Sequence, residues 1–156
     1  MGAFGELDLD DLDTSFTKGT YRLKLADVQD RDAKVEDGEP KRKFIIFNFE
    51  ISDTNPDVED FNGERTKGVF LNYWPNLNEE IYKSMSGQDK GNVRRSLKLY
   101  KTLGRAFGAS EKDIKAGNVD WEEYMDTYVY ATLYADKNGE PAIQTDSFAN
   151  EASVEI

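Results

Sequence analysis

The chain has no cysteine and no histidine among its 156 residues. Without cysteine it can form no disulfide, present no thiol nucleophile and build no thiolate metal site. Without histidine it lacks the commonest general base and the usual zinc and copper ligand, so a serine or cysteine triad is ruled out. An enzyme made from this sequence would have to work with carboxylates, lysine, tyrosine or a hard metal held by oxygen. Long apolar runs are also missing, and nothing approaches the roughly 18 residues that mark a membrane span. The opening residues, MGAFGELDLDDLD, contain neither a basic nor an apolar signal-peptide region. Glu6 stands where myristoylation calls for Ser or Thr. These absences predict a cytoplasmic, non-enzymatic protein with no cofactor and no metal.

What the chain has in quantity is charge. There are 31 acidic and 20 basic residues, a net charge of −11. A uniformly basic nucleic-acid binder is therefore excluded, but the charge is patchy. Asp53, Asp57, Glu59, Asp60 and Glu64 share a stretch without a base, whereas Lys90, Arg94, Arg95, Lys98, Lys101 and Arg105 share one without an acid. A local basic surface still attracts phosphates over about one Debye length, roughly 8–10 Å. The acidic runs from Asp8 to Asp13 and Asp53 to Asp60 lack the glycine and closing glutamate of a calcium loop. The segment Gly87–Asn92 (GQDKGN) lacks the Lys-Ser/Thr ending of a P-loop.

The periodicity lays out the elements. Residues 1–16 form an acidic leader, which Phe16 can anchor. Gly19–Val28 alternates, with Tyr21, Leu23 and Leu25 opposite Arg22 and Lys24, and predicts strand one. A polar loop with an Asp37-Gly38 turn follows. Lys41–Ile51 predicts strand two, with Ile45, Phe47, Phe49 and Ile51 inside and Arg42, Phe44, Ile46, Asn48 and Glu50 outside. Arg65–Trp74 predicts strand three, but its facing stays open: Val69, Leu71 and Tyr73 compete with Phe70 and Trp74 for the core, and Gly68 fits a bulge. Asn78 caps a short helix over Glu79–Met85, and Ser86–Asn92 reads as a loop. The long helix is predicted over about 92–107, capped by Asn92 and ended by Gly108. Its apolar face carries Val93, Leu97, Leu99, Tyr100, Leu103, Ala106 and Phe107, and its other face is basic. Ser110 with Asp113, and Asp120 with Glu123, suggest short capped turns. Thr127–Asp136 is strand four, Lys137-Asn138-Gly139 a hairpin turn and Glu140–Phe148 strand five. Ala149–Ile156 is a short acidic tail.

Three strands, a helix and a two-strand hairpin are the element order of an OB-fold, a mainly β class in which a five-stranded barrel carries its helix between strands three and four. A split α+β sheet is the alternative. The domain then spans 17–148, between the acidic segment 1–16 and the tail 149–156. The feature most suggestive of function is the tyrosine ladder Tyr128, Tyr130, Tyr134, on the face of strand four opposite Val129, Ala131 and Leu133. Such rings can stack bases, or they can half-bury in a sheet as good strand formers. Phe44 and Ile46 beside Arg42 pose the same choice. The loop between strands one and two carries Arg31, Lys34 and Lys41, and the hairpin turn carries Lys137. The basic helix face is either simply solvated or an auxiliary phosphate surface.

Several stretches resemble a family. Gly19–Leu25 (GTYRLKL), Phe44–Ile51 (FIIFNFEI), Phe61–Phe70 (FNGERTKGVF), Leu97–Gly108 (LKLYKTLGRAFG), Tyr128–Leu133 (YVYATL), Lys137–Gly139 and Ala142–Thr145 together look like the small phage proteins taken to be OB-fold single-stranded DNA-binding proteins. The likeness is one of pattern and order, over roughly residues 15–148. It implies a non-enzymatic protein that coats single strands in phage replication or recombination, inside the host bacterial cytoplasm. Its partners would be single-stranded DNA and phage recombination or replication proteins, with homo-oligomerisation open. Arg22, Lys24, Arg42, Arg65 and Lys67 would meet phosphates, and Phe44, Tyr73, Tyr128, Tyr130 and Tyr134 would offer stacking faces. The −11 charge supports a second reading, an acidic protein-interaction module or DNA mimic acting on a host protein. A metal-dependent nuclease has only the abundance of carboxylates behind it.

Overall fold

The computed structural model describes Gly5 and residues 16–151. The rest of the acidic leader and residues 152–156 of the tail lie outside the described residues. The strands are β1 (Gly19–Asp32), β2 (Lys43–Ile51), β3 (Val69–Tyr73), β4 (Tyr128–Ala135), β5 (Pro141–Ile143) and β6 (Ala149–Asn150). They pair antiparallel in the order β3-β2-β1-β4-β5, with β6 also beside β4. The first five form a nearly closed barrel rather than a split open sheet.

The barrel curls because β1 serves two neighbours. Its first half pairs with β4, from Gly19 opposite Leu133 to Lys24 opposite Tyr128. From Leu23 onward it pairs with β2, and the register breaks between Leu25 and Asp27. Such a bulge bends a strand and sharpens its twist. The bulge is held from outside: Asp126, in the left-handed region at φ 64, donates its N–H to the Leu25 carbonyl at 2.9 Å. A second bulge lies just before β3. Phe47 faces Val69, but Glu50 faces Arg65, so the segment between them holds one extra residue, in the neighbourhood of Gly68. The slip turns Lys67 toward β5, where its N–H reaches the Pro141 carbonyl at 3.0 Å. Among the described residues no ladder joins β3 to β5, so this bond bridges the remaining seam.

The inward set follows the period-two pattern. Leu23, Leu25, Phe47, Phe49, Val129, Ala131 and Leu133 have no measurable exposure. Strand three resolves in favour of Val69 and Leu71, which are buried, while Phe70 points out and is 56% exposed. Phe16 is buried against Tyr21 and Phe61, with ring centroids 4.9 and 4.7 Å away.

Three helices follow β3: α1 (Glu79–Ser84), α2 (Gly87–Phe107) and α3 (Glu111–Ala116). The caps expected at Asn78 and Ser110 form. α2 starts more than a turn earlier than expected: Ser86, not Asn92, is its N-cap, accepting from the Asp89 N–H at 3.1 Å. Gly87 and Gly91 make that turn read as loop by propensity, but the serine cap and Asp89 in the first turn offset this. Gly108 ends the helix at φ 82, as expected. Leu103, Ala106 and Phe107 are buried, and the Phe107 ring stacks on Phe49 and meets Trp121. Leu97, expected inside, is 49% exposed.

Strand five is shorter than its sequence suggests. It stops at Ile143 and a 3-10 turn, Thr145–Ser147, follows. The Ser147 hydroxyl accepts from the Thr132 N–H at 2.8 Å, taking the place of a ladder carbonyl, and Phe148 turns in against Phe49. Ala149 and Asn150, read as the start of the tail, return to pair with β4 as β6. Asn150 donates its amide to the Ala106 carbonyl near the end of α2.

Candidate functional site

An outward apolar patch lies on β2 and β3. Alternation places Phe44 between Asn72 and Arg31, and Ile46 between Phe70 and Gln29. The Phe44 and Phe70 rings lie 5.9 Å apart and tilted by 54°. Gly68 keeps this face shallow: a Cβ there would lie 3.1 Å from Ile46 Cγ2 and 3.4 Å from Asn48 Oδ1. Three apolar side chains thus sit together, edged by the Arg31 guanidinium and the Gln29 and Asn72 amides. Arg42 is half-buried at the start of the strand, and Lys34 and Lys41 are exposed in the neighbouring loop. Sequence reasoning weighed Phe70 as a core candidate rather than a site residue, and the signal was the bulge: with the register shifted near Gly68, Val69 and Leu71 fill the core and Phe70 is left outside.

A second group forms where β1 meets β4. Arg22 lies opposite Tyr130, and Lys24 lies between Glu50 and Tyr128. The Arg22 guanidinium is already engaged. It sits 3.5 Å over the Tyr128 ring centroid and donates to the Glu151 carboxylate at 2.9 Å and to the Ser52 carbonyl at 3.2 Å. One face of Tyr128 is therefore covered. Tyr130 is half-buried between β1 and β6.

The remaining candidates separate. Tyr73 follows the inward parity of Val69 and Leu71 and donates its hydroxyl to the Asp30 carboxylate, whose oxygens lie 2.9 and 2.8 Å away. Burial first, then Asp30, pushes its pKa up. Arg65 is exposed beside Glu50. Lys67 is at the seam, its ammonium 2.7 Å from the Asp136 carboxylate. Tyr134 stands near it, 41% exposed. The tyrosine ladder is thus real as alternation, but its members face three different settings.

Two clefts open on the surface. One, of about 470 Å³, follows the β3–β5 seam under α2, lined by Lys67, Phe70, Asn92, Arg95 and Tyr134 among others. The other, of about 830 Å³, lies between the end of the barrel and the helices, with Trp74, Leu77, Val93, Leu97 and Tyr100 in its wall and Asp30, Asp120 and Glu122 at its edge. Among the described residues no group of three or more acidic side chains is placed to hold a metal ion, and no helix is long and apolar enough to cross a membrane. Comparison with family models, with curated proteins and with solved structures finds no match for this chain.

Proposed function

We propose that the chain is an OB-fold protein that binds single-stranded DNA with little regard to sequence and catalyses no reaction. The observation that carries this reading is the outward patch of Phe44, Ile46 and Phe70, edged by hydrogen-bonding and cationic side chains. The Phe70 ring is exposed beside the half-buried Phe44 and Ile46, and every base has a face that can stack on such a ring, for about 1–3 kcal/mol per base. The strand order and the helices between β3 and β4 support the OB reading. This fold uses the faces of its second and third strands for oligonucleotides. Arg31, opposite Phe44 on β1, and Lys34, Lys41 and Arg42, in the segment between β1 and β2, are the cations this reading uses. Service in phage replication or recombination, in the bacterial cytoplasm and with the proteins of those processes, rests on the resemblance of the sequence stretches.

The test is titration of intrinsic tryptophan and tyrosine fluorescence with oligo-dT of about 30 nucleotides, a length spanning several OB site sizes. Saturable quenching that weakens with salt and is absent with duplex is the expected result. Absence of quenching at low salt would overturn the reading. The alternative, a protein-interaction module, has the larger cleft in its favour, where Leu97 stands exposed over an apolar wall with an acidic edge. A salt-sensitive complex with a basic protein, without oligonucleotide affinity, would establish it instead.

A further inference from the structure

The aromatic side chains that stand exposed among the described residues are Phe70 and Tyr134, and both line the cleft at the β3–β5 seam. They come from strands that share no ladder, yet both line this one opening. The cleft holds about 470 Å³. Small-ligand sites typically hold roughly 300 to 1000 Å³, so one nucleotide fits the space. Its charge is anomalous for so acidic a chain. Among the described residues no carboxylate lines it, whereas Lys67 and Arg95 do. The larger cleft, by contrast, is edged with carboxylates.

Both cations are set for an anion. Arg95 is exposed on α2 and donates to the Asn92 side-chain oxygen, which fixes its guanidinium along the helix toward the cleft. Gly91 makes room for this pose, since a Cβ there would lie 3.3 Å from Arg95 Nη1. Lys67 is paired with Asp136, yet its side chain is 56% exposed. An ammonium has three donors, so others remain for a ligand. Asn72, Ser96 and Thr145 add neutral hydrogen-bonding groups. Beyond the cleft the same helix presents Arg94 and Lys98, both exposed.

We propose that the seam cleft takes one nucleotide of the bound strand, its base against Phe70 and Tyr134 and its phosphate on Arg95 and Lys67, and leads the strand off the sheet onto the basic side of α2. This rests on the single-strand reading above and extends it. The chemistry recognised is that of a nucleoside phosphate, and the strand, rather than a free mononucleotide, is its source.

The experiment measures affinity for oligo-dT of increasing length, with the full chain and with Tyr134→Ala, Arg95→Gln and Phe44→Ala. Tyr134 and Arg95 are exposed, so these two changes leave the core untouched. Both variants should bind the shortest oligomers as the parent does and lose affinity on the longer ones, Tyr134→Ala by about ten-fold, the effect of one lost stacking contact. Arg95→Gln should also lower the slope of log affinity against log salt by about 0.7, the share of one single-strand phosphate. Phe44→Ala should weaken every length alike. If the parent binds no oligomer, the single-strand reading and the cleft fall together. If the parent binds but both seam variants match it at every length and salt, the cleft alone is overturned. Quenching by dTMP that Tyr134→Ala abolishes, with no length effect among oligomers, would assign the cleft to a free nucleotide and overturn the path.

Discussion

Lys67 and Asp136 form an ion pair across the barrel seam, with the ammonium 2.7 Å from one carboxylate oxygen. The other Asp136 oxygen accepts the Asn138 and Glu140 N–H groups at 2.8 and 2.9 Å, so one side chain ties the β4–β5 turn to the segment that leads into β3. Lys67 first, then the Glu140 N–H, lowers the Asp136 pKa from 3.8 to about 2. A lowered carboxyl pKa means stability that is present above the ordinary value and lost as pH falls through the shifted one. Asp136 in turn raises the Lys67 pKa above 10.5, so the lysine's share is present below 10.5 and lost as pH rises through the shifted value. The difference in thermal midpoint between the parent and Asp136→Asn should therefore be constant from about pH 5 to 8, shrink between about pH 4 and 2, and shrink again at the alkaline end. A difference that persists unchanged at the acid end would sink this assignment.

Gly104 on α2 faces Ile114 on α3 so closely that a Cβ would lie 2.9 Å from Ile114 Cγ1. Two effects oppose in Gly104→Ala. The helix gains about 1 kcal/mol in propensity, and overpacking costs about 1–3 kcal/mol. The clash involves an inner carbon of a buried, branched side chain, so it should win, with a net loss of about 1 kcal/mol. In an Ile114→Ala background the clash disappears and the same change should stabilise. Urea unfolding of the two single variants and the double one checks this, and additive effects would show that the helices do not meet as described.

Much of the barrel could be read from alternation, because strands buried on one face write a period of two into the chain. Phe47, Phe49 and Ile51, and again Val129, Ala131 and Leu133, are inside as that period requires. What could not be read has specific causes. Both faces of β3 are apolar, so the pattern could not choose between them, and the ring it left undecided, Phe70, stands exposed. Ser147 interrupts β5 by standing in for a backbone partner, which no hydropathy pattern records. The site candidates were named by residue type on a common face, but a closed sheet has no single outer face. Arg22 and Tyr128 lie at the β1–β4 junction and Lys67 and Tyr134 at the seam, while Tyr73 joins Asp30. The partner of Arg22, Glu151, is 129 residues away in the chain, a pairing that only the fold could reveal.

That Arg22 contact makes its own prediction. The guanidinium stacks at 3.5 Å on Tyr128 with 18% of its side chain exposed. A double-mutant cycle between Arg22→Gln and Tyr128→Leu should show a coupling of about 1 kcal/mol, within the range of half-desolvated cation–π pairs. Arg22→Lys should lose most of it, because an ammonium cannot lie flat on the ring while forking to Ser52 and Glu151. With one face of the ring held by Arg22, Tyr128→Leu should leave oligonucleotide affinity unchanged. Loss of affinity without loss of stability would move Tyr128 back among the base-stacking residues.

Phe44 and Phe70 carry the binding proposal and are open to direct test. More than half of the Phe70 surface is open to solvent. Phe70→Ala therefore removes little buried area, and the melting temperature should hardly move. Affinity for oligo-dT should fall by about 1–3 kcal/mol, as expected for one lost stacking platform. Phe44→Ala should do the same at a larger cost in stability, since its ring is half-buried against Phe70. Rings in contact share their ligand, so the double variant should lose less than the sum. Neither change removes a charge, and the salt dependence of binding should stay as it was, whereas Arg42→Gln should reduce its slope by about 0.7. An outcome in which Phe70→Ala lowers stability and spares affinity would mean that the patch holds the sheet together and binds nothing.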